Sequence, residues 1–108
     1  MKRGDLVAAV APGAFGKPRP YLVLQSDAFN PTHDSLTVAP LTSHIVGAPL
    51  FRITVEPSPI NGLRSVSQVM IDKLVTLPRG KLGAVIGELH SDVLQRVNRS
   101  LAVWLGLA

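Results

Sequence analysis

The chain has 108 residues, of which 46% are hydrophobic, and it carries a formal net charge of +4. This length fits one domain (residues 1–108) with a modest core, and many chains of this size gain stability by dimerising. The absence of cysteine excludes disulfides and thiolate metal sites, and it agrees with a reducing cytoplasm. Neither a signal peptide nor a membrane-spanning run is recognisable, so we expect a soluble, cytoplasmic protein without membrane contact.

The basic charge favours a polyanionic partner, because cationic side chains displace the counterions that condense on nucleic acid. A charge of this size also serves solubility, so it does not by itself identify RNA or DNA. The aromatic residues, one Trp, one Tyr and three Phe, are too few for an extended base-stacking platform.

The N-terminal half alternates short apolar runs with turn signals. Strands are predicted over residues 5–10, 21–25 and 36–41, with a mobile loop over 11–18 and a polar segment over 26–34. Pro20 belongs at the start of the second strand because it cannot donate to a ladder, and Pro40 is expected to end the third. Ser26 or Asp27 could cap a single helical turn in the polar segment.

Further strands follow in the second half of the chain. Residues 50–56 alternate, with Phe51, Ile53 and Val55 on one side, which predicts a half-buried strand. One or two strands are predicted within 64–77, with a break at Asp72 and Lys73, and a last strand over 82–89.

Over residues 91–105, the spacing of the apolar residues changes to the period of a helix. Val97, Leu101 and Trp104 fall at helical spacing, Ser91 is the expected N-cap, and Gly106 suits the C-terminal stop. The sequence therefore predicts a mainly β (α+β) domain, a curled sheet of about five to seven short strands closed by a C-terminal helix.

Few residues suggest metal or nucleophilic chemistry. His33, His44 and His90 each stand alone, without a second ligand at metal-like spacing, and are interpreted as surface or loop histidines. Phosphate-binding glycine loops and nucleophile elbows are also missing from the sequence. We therefore expect neither a metal nor a cofactor.

The segment Lys17-Pro18-Arg19-Pro20 is more specific. Two prolines restrict the backbone around one guanidinium, whose planar donor fork matches a phosphate. Arg19 could equally pair with a nearby carboxylate. Thr42 and Ser43 follow the third strand, where hydroxyls can donate to a phosphate, although such residues are also ordinary in turns.

Taken in order, several short motifs resemble the MazF/PemK family of type II toxin–antitoxin ribonucleases. They lie at residues 3–7, 17–24, 29–30, 38–42, 62–65, 72–74, 76–77 and 105–107. The resemblance implies an SH3-like small β-barrel with a C-terminal helix, and a homodimer. It also implies a toxin that cleaves single-stranded RNA sequence-specifically without a metal and is inhibited by a cognate antitoxin.

The resemblance also implies residue roles. The 2′-OH of the RNA acts as nucleophile and leaves a 2′,3′-cyclic phosphate, so the protein has to hold the phosphate in line and stabilise its charge. Arg19 and Thr42 are the expected catalytic residues, both acting on the scissile phosphate. Weaker candidates for RNA contacts are Lys17, Asn30, Ser43, Gln68 and Asp72.

The expected antitoxin is MazE-like, acidic and partly disordered, since such a segment covering Arg19 would complement its positive charge. Operator DNA is expected to be bound only through this antitoxin.

Two departures from the family pattern concern proton transfer. Many members have a Gly-x-Glu-Gln-like stretch before the Arg-Pro pair, whereas residues 13–17 contain no carboxylate here. Some members place a second arginine two residues before the aspartate matched by Asp72, and this chain has Met70 there. The group that moves the proton is therefore not identified.

Two alternatives stay open at this point. The first is a DNA gyrase poison of the CcdB type, which shares the fold and inserts a C-terminal tryptophan into its target without cutting RNA. Trp104 is better interpreted as core packing, because it continues the helical spacing of Val97 and Leu101. The second is a catalytically silent β-barrel that only binds a partner.

Overall fold

The computed structural model describes residues 1–10 and 17–108, so most of the predicted loop over 11–18 lies outside the described residues. Two single 3₁₀ turns, Ile71–Lys73 and Arg79–Lys81, flank β6. The strands and the helix, in chain order, are β1 (Asp5–Ala9), β2 (Arg19–Val23), β3 (Ser35–Thr42), β4 (Arg52–Val55), β5 (Ser67–Met70), β6 (Val75–Pro78), β7 (Leu82–Glu88) and α1 (Ser91–Trp104).

All strand pairs are antiparallel and form one seven-stranded sheet in the order β4-β5-β3-β2-β1-β7, with β6 also paired to β3. β3 changes partner along its length. Its first part, from Ser35 to Val38, pairs with β6, and its end, Leu41 and Thr42, pairs with β5. The mainly β class with one C-terminal helix is thus confirmed. β4, β6 and β7 each pair on one side only among the described residues, so a closed barrel is not observed.

The sheet is nevertheless strongly curled. β6 and β7 lie at opposite edges of the five-stranded part β6-β3-β2-β1-β7, and only Arg79–Lys81 connects them. Such a connection spans at most about 14 Å, whereas the outer strands of a flat five-stranded sheet would be about 19 Å apart. The two edges must therefore approach each other.

The loop after β4 packs against β7. The amide of Glu88, at the end of β7, donates to the carbonyl of Ile60 at 3.1 Å. Gly62 has a φ of +69°, and a Cβ there would lie 2.2 Å from the carbonyl oxygen of Ile86. This close approach requires glycine.

Alternate residues of the curled sheet enter two hydrophobic clusters. Val7, Val23 and Val38 belong to a cluster enclosed by the five-stranded part, while Leu6 and Leu22 point to its other face. That face is covered by β4, β5 and α1, which buries Val97 completely. The period of two along each strand thus fixes both clusters.

Most predicted elements are confirmed, including the two strands within 64–77 and the break between them. Pro40, however, does not end the third strand but lies inside β3, opposite Tyr21. Proline fits there because the other edge of β3 has no partner strand at this point. The pairing of β3 with β6 extends to Val38, and its pairing with β5 starts at Leu41. The polar segment 26–34 forms turns, with the Ser26 hydroxyl accepting from the Ala28 amide as expected.

The helix starts one residue earlier than predicted. His90, rather than Ser91, is the N-cap, and its Nδ1 accepts from the amide of Asp92 at 3.2 Å. The buried Leu89 anchors the chain just before this turn, which leaves Ser91 as the first helical residue. Trp104 packs on Phe51 with ring centroids 5.5 Å apart, but it is 48% exposed, so the prediction of core packing holds for one side of the ring.

Candidate functional site

The start of β2 and the end of β3 bring Arg19 and Thr42 together. The ladder between these two strands ends at the pair Tyr21 and Pro40. Arg19 lies two residues before Tyr21 and Thr42 two residues after Pro40, so both lie just beyond the same end of the ladder. The two residues predicted to act on one phosphate are therefore neighbours.

Both residues line a cleft of about 560 Å³. It contains two arginines, Arg19 and Arg64, and the hydroxyls of Thr42, Ser43, Ser65 and Ser67, but no carboxylate among the described lining residues. The remaining lining residues are Ala8, Pro18, Pro20, Leu41, Gly62, Leu63 and Ile86. Guanidinium and hydroxyl donors over an apolar floor are suited to an anionic ligand that also carries apolar surface.

The cationic side chains in and beside the cleft form no ion pairs with described residues. In the part of the chain that the structure describes, no salt bridge involves Arg19, Arg64 or Lys17. Residues 11–16 contain no charged side chain, so they supply no carboxylate either. The interpretation of Arg19 as the partner of a nearby carboxylate is therefore not supported, and its charge is available to a ligand.

Thr42 is oriented by the residues that follow it. Its Oγ1 accepts a hydrogen bond from the amide of His44 at 3.1 Å, which leaves the hydroxyl proton free to be donated elsewhere. A donor hydroxyl at this point of the cleft is what the scissile phosphate would need.

Gln68 fixes the loop that carries Ser43. It pairs with Thr42 across the ladder, and its side chain is bonded to both backbone groups of Val46, at 3.1 Å from the amide and 2.9 Å from the carbonyl. A further bond joins its Nε2 to Thr54 Oγ1 at 3.2 Å. Gln68 is only 3% exposed, so in this structure it contacts the loop rather than the cleft.

Three of the sequence-predicted residues, Arg19, Thr42 and Ser43, line the cleft together. Lys17 is exposed directly before the cleft-lining Pro18. Asn30 lies elsewhere: it is 3% exposed, and its amide donates to the Gln25 carbonyl at 3.0 Å and to Asp27 at 2.9 Å.

Asp72 is likewise outside the cleft, bound by Arg52 through two hydrogen bonds of 2.8 and 3.1 Å. This hydrogen-bonded guanidinium holds the pKa of Asp72 below its usual range, and Asp72 in turn raises the pKa of Arg52. Arg52 pairs with Met70 across the ladder between β4 and β5. Arg52 thus lies opposite Met70, the position at which the sequence departs from the family pattern.

Arg64 and Ser65 were not among the predicted site residues, although they line the cleft. They fall within the 62–65 motif that contributes to the family resemblance. No local pattern in the sequence indicates that the loop after β4 packs against β7. This contact joins distant parts of the chain, and Gly62 permits it.

The described residues contain no group of three His, Cys, Asp or Glu side chains arranged to hold a metal ion. None of the described helices is long and apolar enough to cross a membrane.

Comparison with known proteins agrees with this geometry. Residues 2–105 match the family described as PemK-like, MazF-like toxin of type II toxin–antitoxin system. A protein of Mycolicibacterium smegmatis named probable endoribonuclease MazF is 48% identical, and the match covers 100% of this chain and 99% of that protein.

Solved structures show the same fold. The Mycobacterium tuberculosis toxin MazF-mt6 is 27% identical with a TM-score of 0.81, over 98% of this chain and 99% of that chain. A MazE–MazF complex from Deinococcus radiodurans matches with a TM-score of 0.81 and 31% identity, over 100% of this chain and 98% of that chain.

The matches define the class as toxins of type II toxin–antitoxin systems. The chain belongs to the PemK-like, MazF-like toxin family and is a MazF-like toxin endoribonuclease. The family resemblance read from the sequence is confirmed, and the alternative of a CcdB-type gyrase poison is not supported.

Proposed function

We propose that this toxin endoribonuclease cleaves single-stranded RNA in the cleft lined by Arg19 and Thr42, by attack of the substrate's own 2′-OH. The observation that carries the proposal is that Arg19, which forms no salt bridge with a described residue, lines one cleft with the hydroxyl of Thr42. These groups can bind and stabilise a phosphate directly, without a metal or a covalent protein nucleophile.

In the proposed reaction, the 2′-oxygen forms a bond to phosphorus while the bond to the 5′-oxygen breaks in line with it. Negative charge grows on the non-bridging oxygens, where the fork of Arg19 and the Thr42 hydroxyl donate hydrogen bonds. The products are a 2′,3′-cyclic phosphate and a 5′-OH. Arg19 stays protonated throughout, because arginine does not release its proton in proteins.

Arg64 extends the same cleft and is proposed to bind a phosphate beside the scissile one. Lys17 and Ser43 are proposed as further RNA contacts at its rim. Asn30, Gln68 and Asp72 are proposed to act through the fold instead, since the Asn30 amide nitrogen, the Gln68 amide and the Asp72 carboxylate are bonded to neighbouring residues outside the cleft lining. Which RNA sequence the protein recognises would then depend on the exposed residues at the rim of the cleft.

We also propose a homodimer and a cytoplasmic antitoxin partner. The Deinococcus protein is described in complex with MazE, and an acidic, partly disordered antitoxin would complement the uncompensated arginines of this cleft. Operator DNA would be bound through that antitoxin. The curled five-stranded part is proposed to correspond to an SH3-like barrel, because the single turn Arg79–Lys81 holds its two edges close.

The test is incubation of the purified protein with long single-stranded RNA in EDTA, followed by mapping of the ends. Discrete cuts with 2′,3′-cyclic phosphate and 5′-OH termini are expected. RNA that stays intact, or cuts that leave 5′-phosphates, would contradict the proposed mechanism. A parallel gyrase supercoiling assay is expected to show no inhibition.

A further inference from the structure

The cleft contains no described side chain that exchanges a proton readily near neutral pH. Its polar groups are guanidiniums and hydroxyls. Residues 11–16, Ala-Pro-Gly-Ala-Phe-Gly, have no titratable side chain to contribute. Attack by a 2′-OH nevertheless requires a base for its proton, and a positioned base accelerates such a step by about 100-fold or more.

His44 is placed to supply this base. It directly follows the cleft-lining Ser43, and consecutive Cα atoms are about 3.8 Å apart. Its amide is bonded to Thr42 Oγ1, and its side chain is exposed. His44 itself does not line the cleft, but its exposed imidazole is carried only two residues after Thr42, the residue proposed to hold the phosphate.

The loop that carries His44 is held in place at both sides. Thr42 belongs to β3, and Val46 is clamped by the two hydrogen bonds to Gln68. A side chain on such a short, anchored segment is positioned far better than one on a free loop, which is a requirement for a catalytic base.

The other two histidines are placed differently. The carbonyl of His33 accepts hydrogen bonds from Arg79, in the connection between β6 and β7. His90 caps α1 and lies 3.6 Å from the carboxylate of Asp92. Neither residue neighbours a lining residue in sequence, so His44 is the histidine that adjoins the cleft.

We infer that His44 is the general base of the RNA cleavage reaction, an inference that rests on the proposed function. Its neutral imidazole takes the proton of the 2′-OH as the 2′-oxygen bonds to phosphorus. The bond to the 5′-oxygen breaks, and water protonates that leaving oxygen. The imidazolium then returns its proton to solvent, so the enzyme is restored.

The experiment compares wild type, His44→Ala and the matched control His33→Ala on one cleavable RNA. His44→Ala is expected to be about 100-fold slower and to regain at least tenfold activity with added imidazole, while His33→Ala matches wild type. Binding of a non-cleavable RNA with a 2′-deoxy group at the scissile position should be equal in all three proteins.

A second substrate distinguishes whether His44 acts as a general base or as a general acid. With sulfur in place of the 5′-leaving oxygen, departure needs no proton, so the His44→Ala defect should persist. Recovery of this variant on the sulfur substrate would overturn the assignment as base. Wild-type rates in His44→Ala, or a loss without imidazole rescue that accompanies weaker RNA binding, would overturn it too. Failure of the wild-type protein to cleave would instead contradict the proposed function, so the two failures are distinguishable.

Discussion

Arg52 and Asp72 tie β4 to the 3₁₀ turn after β5 through a two-bond ion pair, with Nε–Oδ1 at 2.8 Å and Nη2–Oδ2 at 3.1 Å. Their side chains are 13% and 16% exposed, so solvent screens the pair only in part. This pair joins β4 to the turn that follows β5, the strand that pairs with Thr42 at the end of β3.

The ion pair predicts a specific dependence of stability on pH. The folded protein lowers the pKa of Asp72, so its stabilisation is complete above the unfolded value of about 3.9 and is lost as pH falls through the folded pKa. Asp72→Asn should therefore lower the free energy of unfolding at pH 7 by about 1–3 kcal/mol. Urea unfolding from pH 7 to 3 should show this difference shrinking below about pH 4.

Glu56→Gln is the control for that series, because Glu56 is exposed and takes part in no described ion pair. It should leave stability within about 0.5 kcal/mol of wild type. RNA affinity should be unchanged in Asp72→Asn at a temperature where it is folded. A selective loss of affinity there would restore Asp72 as an RNA contact.

Arg19→Ala is expected to lower kcat by about 100- to 1,000-fold, because it removes a charged donor to the developing negative charge. The melting temperature should be unaffected, since the side chain is exposed. Single-turnover cleavage assays measure the rate. Arg99→Ala, an exposed arginine on α1 outside this cleft, is the matched control and should cut at the wild-type rate. Normal turnover by Arg19→Ala would refute the proposed site.

Two substitutions isolate the hydroxyl of Thr42. Thr42→Val keeps the shape but removes both the donor and the acceptor of the His44 amide, and it should slow cleavage by at least about 10-fold. Thr42→Ser retains the hydroxyl and should recover most of the rate. A wild-type rate in Thr42→Val, with a slower Thr42→Ser, would show that the side-chain volume and not the hydroxyl matters.

Arg64→Ala should weaken RNA binding more than it slows bound substrate, in contrast to Arg19→Ala. Loss of one phosphate contact on a single strand should reduce the slope of log affinity against log salt by about 0.7. Fluorescence anisotropy with non-cleavable RNA at several salt concentrations measures this slope. An unchanged slope would place Arg64 outside the RNA path.

Gly62→Ala should destabilise the fold by about 1–3 kcal/mol, because the left-handed backbone is strained by a side chain. The added Cβ would also lie 2.2 Å from the Ile86 carbonyl oxygen. Gly47→Ala is the matched control, since no atom lies within 4 Å of a Cβ there. Thermal unfolding of both variants tests the prediction, and similar melting temperatures would contradict it.

Local sequence patterns predicted most of the strands and the helix, because those elements depend on the spacing of apolar residues. The alternation at Ile53 and Val55 and the helical spacing at Val97 are examples, and all three side chains are buried. Pro40 was misjudged because its tolerance depends on where β3 changes partner, which no local pattern contains.

The proximity of candidate residues was predictable where they adjoin a strand end, as with Arg19 and Thr42, which line one cleft. It was not predictable where polar groups find partners far along the chain. Gln68 meets Val46, and Asp72 meets Arg52, both across distances in sequence of about 20 residues. The cleft role of Arg64 likewise depends on the packing of its loop against β7.

The pairing of β1 with β7 makes the cleft depend on both the first and the last strand of the chain. Ile86 of β7 lines the cleft together with Ala8 of β1 and Arg19 of β2. A nascent chain in which residues 82–88 have not yet been synthesised lacks that wall. Such a chain contains Arg19 and Thr42 but not the complete cleft in which they are proposed to act.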